Sequence, residues 1–278
     1  MSIQNLIQIL INSGIEPNEA KKEIKMLLEH FCNYTETDSI KGRQLTVDEF
    51  KLLEEKVQLR IKDNTPIQHI IGEAWFMGEY FKVNKDVLIP RDETEILARK
   101  AIEIIKDNHF EDVLDIGTGS GCIACTIAKN TIATVLGVDI SSDALRVALD
   151  NVTKLGINNR AIFRKSDLFE KIREGESFDM IISNPPYIPI GTELSKEVMH
   201  EPHQALFAEE NGLYFYRRII EESPQYLNEG GYLMFELGID ESQEVKKMME
   251  NDFENIVIEK DLAGIDRVIW GRCKSLKG

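Results

Sequence analysis

The 278-residue chain is short of positive charge, of cysteine and of long apolar runs. Its 33 Lys and Arg stand against 48 Asp and Glu, a formal net charge of −15. A field of that sign repels nucleic-acid phosphate unless a local basic patch overrides it. Residues 1–73 hold no dense basic-aromatic stretch; Lys21, Lys22 and Lys25 sit among Glu19, Glu23 and Glu29 as a solvated helix face would. A protein or small-molecule partner is favoured, and direct nucleic-acid binding is not expected. The opening residues lack the basic start, apolar core and small-residue cleavage site of a secretory signal, and no run reaches membrane-spanning length. The expectation is a cytoplasmic monomer with no membrane partner. Of four cysteines, Cys122 and Cys125 form one CxxC pair with no second pair to complete a metal site, so they are expected to pack inside a helix. His200 and His203 flank Pro202, which breaks helical spacing, and no metal centre is expected there.

With 42% hydrophobic residues the chain can bury one large α/β core and a smaller companion. The first seventy residues read as helical. Pro17 opens a helix carrying Ile24, Leu27, Leu28 and Phe31, and Thr46 with Glu49 forms a capping box ahead of Phe50, Leu53, Val57 and Ile61. Alternating aromatics around Met77 and Gly78, from Ala74 to Val83, predict a hairpin. From Asp92 onward, short apolar runs at 113–116, 135–138, 161–164, 180–183 and 232–237 alternate with helical segments such as 142–155 and 213–227. That alternation predicts a doubly wound, mostly parallel α/β sheet. Runs at 256–259 and 267–270, joined by a turn too short for a parallel crossover, predict an antiparallel terminal hairpin. The domains expected are a helical bundle over 1–73, a hairpin linker over 74–85 and an α/β domain over 86–278.

The stretch Asp115-Ile116-Gly117-Thr118-Gly119-Ser120-Gly121 follows a strand and precedes a helix, where glycines let the backbone turn sharply against a ligand. A dinucleotide fingerprint wants its third glycine one position later, where Cys122 stands, so a dehydrogenase is disfavoured. At the next strand end Asp139 can accept from both hydroxyls of a ribose. Asp167, at a third strand end, can accept from an adenine amine, with Leu168 covering the ring. Asp115 is expected to organise the loop or to meet a cationic end of the ligand.

Ser183-Asn184-Pro185-Pro186-Tyr187 follows the fourth strand. Two prolines fix φ, remove donors and push Asn184 toward an extended conformation, so the loop is stiff and rich in fixed acceptors. An amide or conjugated amine has two in-plane N–H groups, which the Asn184 side-chain oxygen and the Pro185 carbonyl can receive together. The nitrogen's face is then left toward a sulfonium methyl group, and Tyr187 offers a flat surface for stacking on the substrate plane.

With both stretches in hand the chain resembles the amino-group methyltransferases that carry an (N/D/S)PP(Y/F/W) motif, and within them the PrmC/HemK family. Ile89-Pro90-Arg91-Asp92-Glu93-Thr94-Glu95 looks like that family's IPRxxTE segment. His200-Glu201-Pro202 with Ala205-Leu206 and Gly212-Leu213 looks like its EPxxAL…GL segment, and Asp261-Leu262-Ala263-Gly264 with Arg267-Val268 like its DLAGxxRV tail. The resemblance implies a class I, Rossmann-like methyltransferase fold behind a helical substrate-recognition domain. It implies S-adenosyl-L-methionine as cofactor, held by Gly117, Thr118, Gly119, Ser120, Gly121, Asp139, Asp167, Leu168 and Asn184. It implies methylation of the glutamine amide in the GGQ motif of peptide chain release factors. Asn184, Pro185 and Tyr187 would be catalytic, and Pro186 would join them in binding substrate. Arg91, Glu93 and Thr94 either cap and pair at a helix start or lie by the site opening. Two departures are visible: residues 207–211 lack the paired glycines frequent in the family, and Leu168 replaces a frequent aromatic. The alternatives are methylation of an exocyclic base amine, which would require drawing the base from its stack, and a non-catalytic module using the fold as scaffold. Intact glycines, Asp139 and the NPPY loop argue against the second.

Overall fold

A computed structural model of the chain describes residues 2–274. Met1 and residues 275–278, at the two ends of the expected domains, lie outside the described residues. The chain divides into two compact units, one running to Glu73 and taking in Leu194–His200, the other formed by Ala74–Glu193 and the chain from Glu201 onward.

The smaller unit is built from helices α1 (Ile3–Asn12), α2 (Pro17–Cys32), α3 (Glu36–Ile40), α4 (Val47–Asp63) and α5 (Ile67–Ile71). Pro17 stands at the first turn of α2, and α4 starts on the reciprocal Thr46–Glu49 capping box, with Glu49 N to Thr46 Oγ1 at 3.2 Å and Thr46 N to Glu49 Oε2 at 2.8 Å. Leu6, Leu10, Ile24, Leu27, Leu53 and Val57 meet in its core. Through that core runs an ion pair that helical spacing did not reveal. Arg60 donates from Nε to both oxygens of Glu23 at 3.0 Å, and its Nη2 also reaches Glu197 Oε2 at 2.7 Å. Glu23 and Arg60 are buried; burial pushes the Glu23 carboxyl up, and only the Arg60 bonds oppose it.

The larger unit starts with the hairpin β1 (Glu73–Phe76) and β2 (Glu79–Lys82), which turns through Met77 and Gly78 and inserts Phe76 and Phe81 into the core of that unit. Then come α6 (Thr94–Asn108), β3 (Asp112–Ile116), α7 (Cys122–Asn130), β4 (Thr134–Asp139), α8 (Ser142–Leu155), β5 (Ala161–Lys165) and β6 (Phe178–Ser183). The chain continues through the short pieces β7 (Ile188–Pro189), α9 (His203–Leu206) and β8 (Phe207–Ala208) to α10 (Tyr214–Glu222), β9 (Leu227–Glu236), α11 (Ser242–Met249), β10 (Phe253–Lys260) and β11 (Asp266–Cys273).

Seven strands form one sheet in the order β10-β11-β9-β6-β3-β4-β5, parallel from β9 to β5 and antiparallel at the β9-β11-β10 end. This is the class I methyltransferase arrangement, with apolar clusters on both faces of the sheet. The helix expected over 213–227 is shorter: α10 stops at Glu222, Pro224 sits in a single 3₁₀ turn, and β9 begins at Leu227. Cys122 and Cys125 are buried free thiols in α7, each pushed upward by burial. No helix among the described residues is long and apolar enough to cross a membrane.

Removing one partner of a buried ion pair leaves the other charge uncompensated, typically at about 3–5 kcal/mol. Arg60→Ala should therefore speed amide hydrogen exchange in α2 and α4 sharply, whereas Glu23→Leu combined with Arg60→Met should restore most of the protection.

Candidate active site

The C-terminal ends of β3, β4 and β6, with the loop after β5, open into one cavity of about 280 Å³. Strand order reverses about β3, where the chain turns first toward β4 and later returns on the other side with β6, and crevices at such reversals are where open α/β sheets bind ligands. Gly117, Gly119, Asp139, Asp167, Leu168, Asn184, Pro185 and Pro186 all line this cavity. Thr118, Ser120, Gly121 and Tyr187 do not.

The loop after β3 explains that division. Gly117 and Gly119 take positive φ values of 71° and 54° and present bare backbone to the cavity. Gly121 faces the other way: a side chain there would lie 2.9 Å from the Phe163 ring and 3.0 Å from Ala148 Cβ, so this glycine lets α7 seat closely on α8 and β5. Gly137 on β4 serves the same packing, since a Cβ there would fall 2.5 Å from Phe163 and 2.8 Å from Thr118 Oγ1. Thr118 turns inward and donates from Oγ1 to Asp115 Oδ2 at 2.6 Å. Asp115 is fully buried, its second oxygen has no hydrogen-bond partner among the described residues, and burial raises its carboxyl to about 7. It braces the loop from behind.

Asp139 lines the cavity with both carboxylate oxygens fixed by backbone. Its Oδ2 accepts from Gly119 N at 2.9 Å and its Oδ1 from Ser141 N at 2.8 Å, so each oxygen is oriented by backbone and keeps a lone pair for a hydroxyl. Asp167 ends the neighbouring loop, where Arg218 Nη1 comes within 3.5 Å of its Oδ1. Leu168 adopts φ of 45°, strained for a branched residue, and the Ser166 hydroxyl holds it there by donating to the Leu168 carbonyl at 2.8 Å. The turn presents Leu168 to the cavity wall. Bare glycine backbone, two oriented carboxylates and an apolar cover fit an adenosine-bearing cofactor.

The acceptor loop is tied to the same floor, because Ser183 Oγ donates to the Ile116 carbonyl at 2.7 Å. Asn184 Nδ2 donates to Thr94 Oγ1 at 3.3 Å, which leaves the side-chain oxygen for the cavity. Tyr187 turns away, with its hydroxyl 3.5 Å from Glu236 Oε1 and its ring against Gly238, where an added Cβ would lie 3.0 Å from Cδ2. It packs beneath the loop and does not present its ring to the cavity. Burial next to the Glu236 carboxylate pushes its phenol upward.

Several wall residues have no strong local signal. Glu201 is buried and accepts from Ile89 N at 2.8 Å and from Arg91, joining the segment before α6 to the one before α9. That pairing accounts for Arg91, whereas Glu93 precedes α6 without a side-chain capping bond. Tyr214, Phe215 and Arg218 reach the cavity from α10 at helical spacing, which alone cannot distinguish a ligand wall from a core face.

Asp115, Glu236 and Glu241 are each raised to about 7, mainly by burial. Unfolded carboxylates release their protons near pH 4. The folded chain therefore binds more protons between these values, and these groups lower stability as pH rises through that window. Asp115→Asn still offers an oxygen to Thr118; it should flatten the fall in Tm between pH 5 and 7.5 and leave S-adenosyl-L-methionine affinity within about threefold, as expected of a group that does not touch the ligand.

The family model described as methyltransferase small domain matches residues 92–264. A release factor glutamine methyltransferase of Clostridium acetobutylicum is 39% identical over 256 residues, covering 89% of this chain and 90% of that protein. Proteins of the same description from Bacillus subtilis and Streptococcus pneumoniae are 38% and 37% identical, over 94% and 97% of this chain and 92% and 98% of theirs. Among solved structures, a methyltransferase from Pyrococcus furiosus superposes with a TM-score of 0.54 at 17% identity, covering 83% of this chain and all of that one. A Thermus thermophilus 16S rRNA N2 G1207 methyltransferase in complex with AdoMet and guanosine gives 0.53 at 17% identity, covering 73% and 50%; likeness at this identity establishes the fold alone. Identity near 38% across almost the whole of both chains, on a sheet whose strand ends bring a glycine loop and an NPPY loop into one cavity, makes this chain a member of the release factor glutamine methyltransferase family.

Proposed function

We propose that this chain transfers a methyl group from S-adenosyl-L-methionine to the side-chain amide nitrogen of the glutamine in the GGQ motif of peptide chain release factors. The supporting observation is that one cavity joins the two halves of such a reaction: Gly117, Gly119 and Asp139 line it together with Asn184, Pro185 and Pro186. When bound, the cofactor supplies a methyl group on a sulfonium, which already leaves readily. The protein's share is alignment and charge. The Asn184 oxygen and the Pro185 carbonyl receive the two in-plane amide protons of the glutamine, which fixes the nitrogen with its face toward the donor side. These bonds strengthen as positive charge develops on nitrogen and favour the transition state over the ground state, and one of the two N–H protons is lost to solvent once the N–C bond has formed. Asp139, oriented by Gly119 N and Ser141 N, holds the ribose, while Asp167 and Leu168 receive the adenine. Thr118, Ser120 and Gly121 contribute by shaping the loop that the cofactor touches, and Tyr187 by supporting the acceptor loop from below. Transfer to an exocyclic base amine would suit the same acceptors, but the relatives that match nearly the whole chain are named for a protein glutamine.

A single glutamine side chain offers too little surface for selectivity. We further infer that the helical unit, residues 1–73, recognises the release factor away from the glutamine. Its α3 and α4 expose Ile40 and Val47 at 87% and 71% of their surface, apolar area suited to a protein partner.

Labelled methyl should pass from S-adenosyl-L-methionine to purified release factor, and neither to a factor with GGQ changed to GGA nor to bulk nucleic acid; label on nucleic acid alone would reassign the substrate. Asn184→Ala should lower kcat about a hundredfold, the scale of one lost oriented hydrogen-bond partner in a transition state. Ile40→Ser with Val47→Ser should raise KM for the intact factor severalfold and leave the rate on a short GGQ peptide unchanged.

A further inference from the structure

Helix α10 gives the cavity a wall to which no role has yet been assigned. Tyr214, Phe215, Arg218 and Ile219 all stand on it and all line the cavity. Phe215 and Ile219 extend the apolar cover: Ile219 is buried in one cluster with Leu168, and Phe215 packs against that cluster. Arg218 differs in kind. Among the described residues that line the cavity it carries the one positive charge.

Three contacts restrain its guanidinium. Nη1 lies 3.5 Å from Asp167 Oδ1, Nη2 donates to Glu222 Oε1 at 3.2 Å, and the central carbon stands 5.9 Å from the centre of the Tyr214 ring. Glu222 lies one turn further along the same helix, so that contact belongs to α10 alone. The Asp167 contact crosses from the helix to the loop after β5, and both of its members line the cavity. With 37% of its side chain exposed, Asp167 has open solvent to turn into, and an ion pair so placed adds little to stability. A carboxylate that must meet one amine from a partly open position binds it well only if it is held there before the ligand arrives.

We propose that Arg218 is a specificity-determining residue of the cofactor site: it holds the Asp167 carboxylate at the cavity wall, where this acceptor meets the 6-amino group of adenine and turns away a base with a carbonyl in its place. The inference rests on the adenine role given to Asp167 above. Arg218 acts through Asp167 as a positioning residue and takes no part in methyl transfer. A 6-amino group donates and a 6-carbonyl accepts, so a fixed carboxylate binds the first and repels the second. A carboxylate free to swing into solvent escapes the second encounter at little cost, and selectivity is lost with it. Arg218 does not itself rescue the carbonyl base, because Asp167 and Glu222 already claim its guanidinium.

The test is calorimetric and needs no methyl transfer. The full chain is titrated with S-adenosyl-L-homocysteine and with its hypoxanthine counterpart, S-inosyl-L-homocysteine. The wild type should bind the adenine compound about a hundredfold more tightly, since a site built to bond an N–H rejects a ligand that lacks it. Arg218→Met keeps the apolar stem and loses the charge; it should weaken S-adenosyl-L-homocysteine about tenfold and bring the ratio of affinities below about tenfold. Arg218→Lys should keep most of the ratio, because the contact to Asp167 is one of charge at 3.5 Å and not a two-bond fork. Glu222→Gln removes the pairing within α10 and should leave the ratio unchanged. In an Asp167→Asn background, Arg218→Met should have no further effect on either affinity. A wild type that binds both compounds equally, or an unchanged ratio in Arg218→Met, overturns the proposal. So does an equal fall of the ratio in Glu222→Gln, which would reduce Arg218 to a staple of its own helix, or a full Arg218→Met effect without the Asp167 carboxylate. A chain that shows the selectivity yet passes no methyl group to release factor leaves the role of Arg218 standing and removes the substrate assignment instead.

Discussion

The site depends on one topological constraint, the reversal of strand order about β3. A chain that winds from β3 to β4 and then returns on the opposite side with β6 cannot cover the strand ends at the reversal, and a crevice opens there. Strand termini deliver the glycine turn (β3), Asp139 (β4), Asp167 (the loop after β5) and Asn184 (β6) to that crevice, and α10 closes it with Tyr214, Phe215 and Arg218. The hydrogen bond from Ser183 to the Ile116 carbonyl then locks the ends of β3 and β6 to one another. The donor side and the acceptor loop are thus referred to the same rigid floor, as a reaction governed by alignment requires.

Beneath that floor lie two buried acids and a partly buried one. Asp115 stands under the glycine turn, Glu236 under the acceptor loop and Glu241 beside Gly238, each forced upward toward neutrality by burial. A carboxylate is a costly way to fill a core. Its compensation is direction: Asp115 fixes the rotamer of Thr118, and Glu241 accepts from Gly238 N at 3.1 Å, holding the chain as it leaves β9. Stability and orientation pull against one another here, and the fold retains orientation.

Much of this was legible in the residues. Strand-length apolar runs, the capping box at Thr46, the turn at Gly78 and the glycine and proline loops each carry a local physical signature, and each expectation met an element within a few residues of its place. Failures of local inference had physical causes. The helix expected to reach Leu227 stops at Glu222 because periodicity continues across a segment that Pro224 turns out of the helix. Thr118, Ser120 and Gly121 sit in the expected motif but are not among the residues lining the cavity: Thr118 turns to Asp115 and Gly121 packs on Phe163 and Ala148. Tyr187 follows the acceptor loop in sequence, yet its ring fills the space beside Gly238. The Arg60–Glu23–Glu197 cluster and the Glu201 tie join residues far apart in the chain, and no window of sequence displays them.

The membership of Leu194–His200 in the helical unit bears on how the chain is made. Arg60 must wait for Glu197, which follows it by 137 residues, before its second carboxylate partner exists. Synthesis proceeds from the N-terminus at a few to about twenty residues per second, and N-terminal units generally fold first. This unit does not have all its parts when its own five helices have emerged. Its last turn of chain arrives only after β3, β4, β5 and β6 have been made, so completion of the first-made unit is a late event in the birth of the molecule.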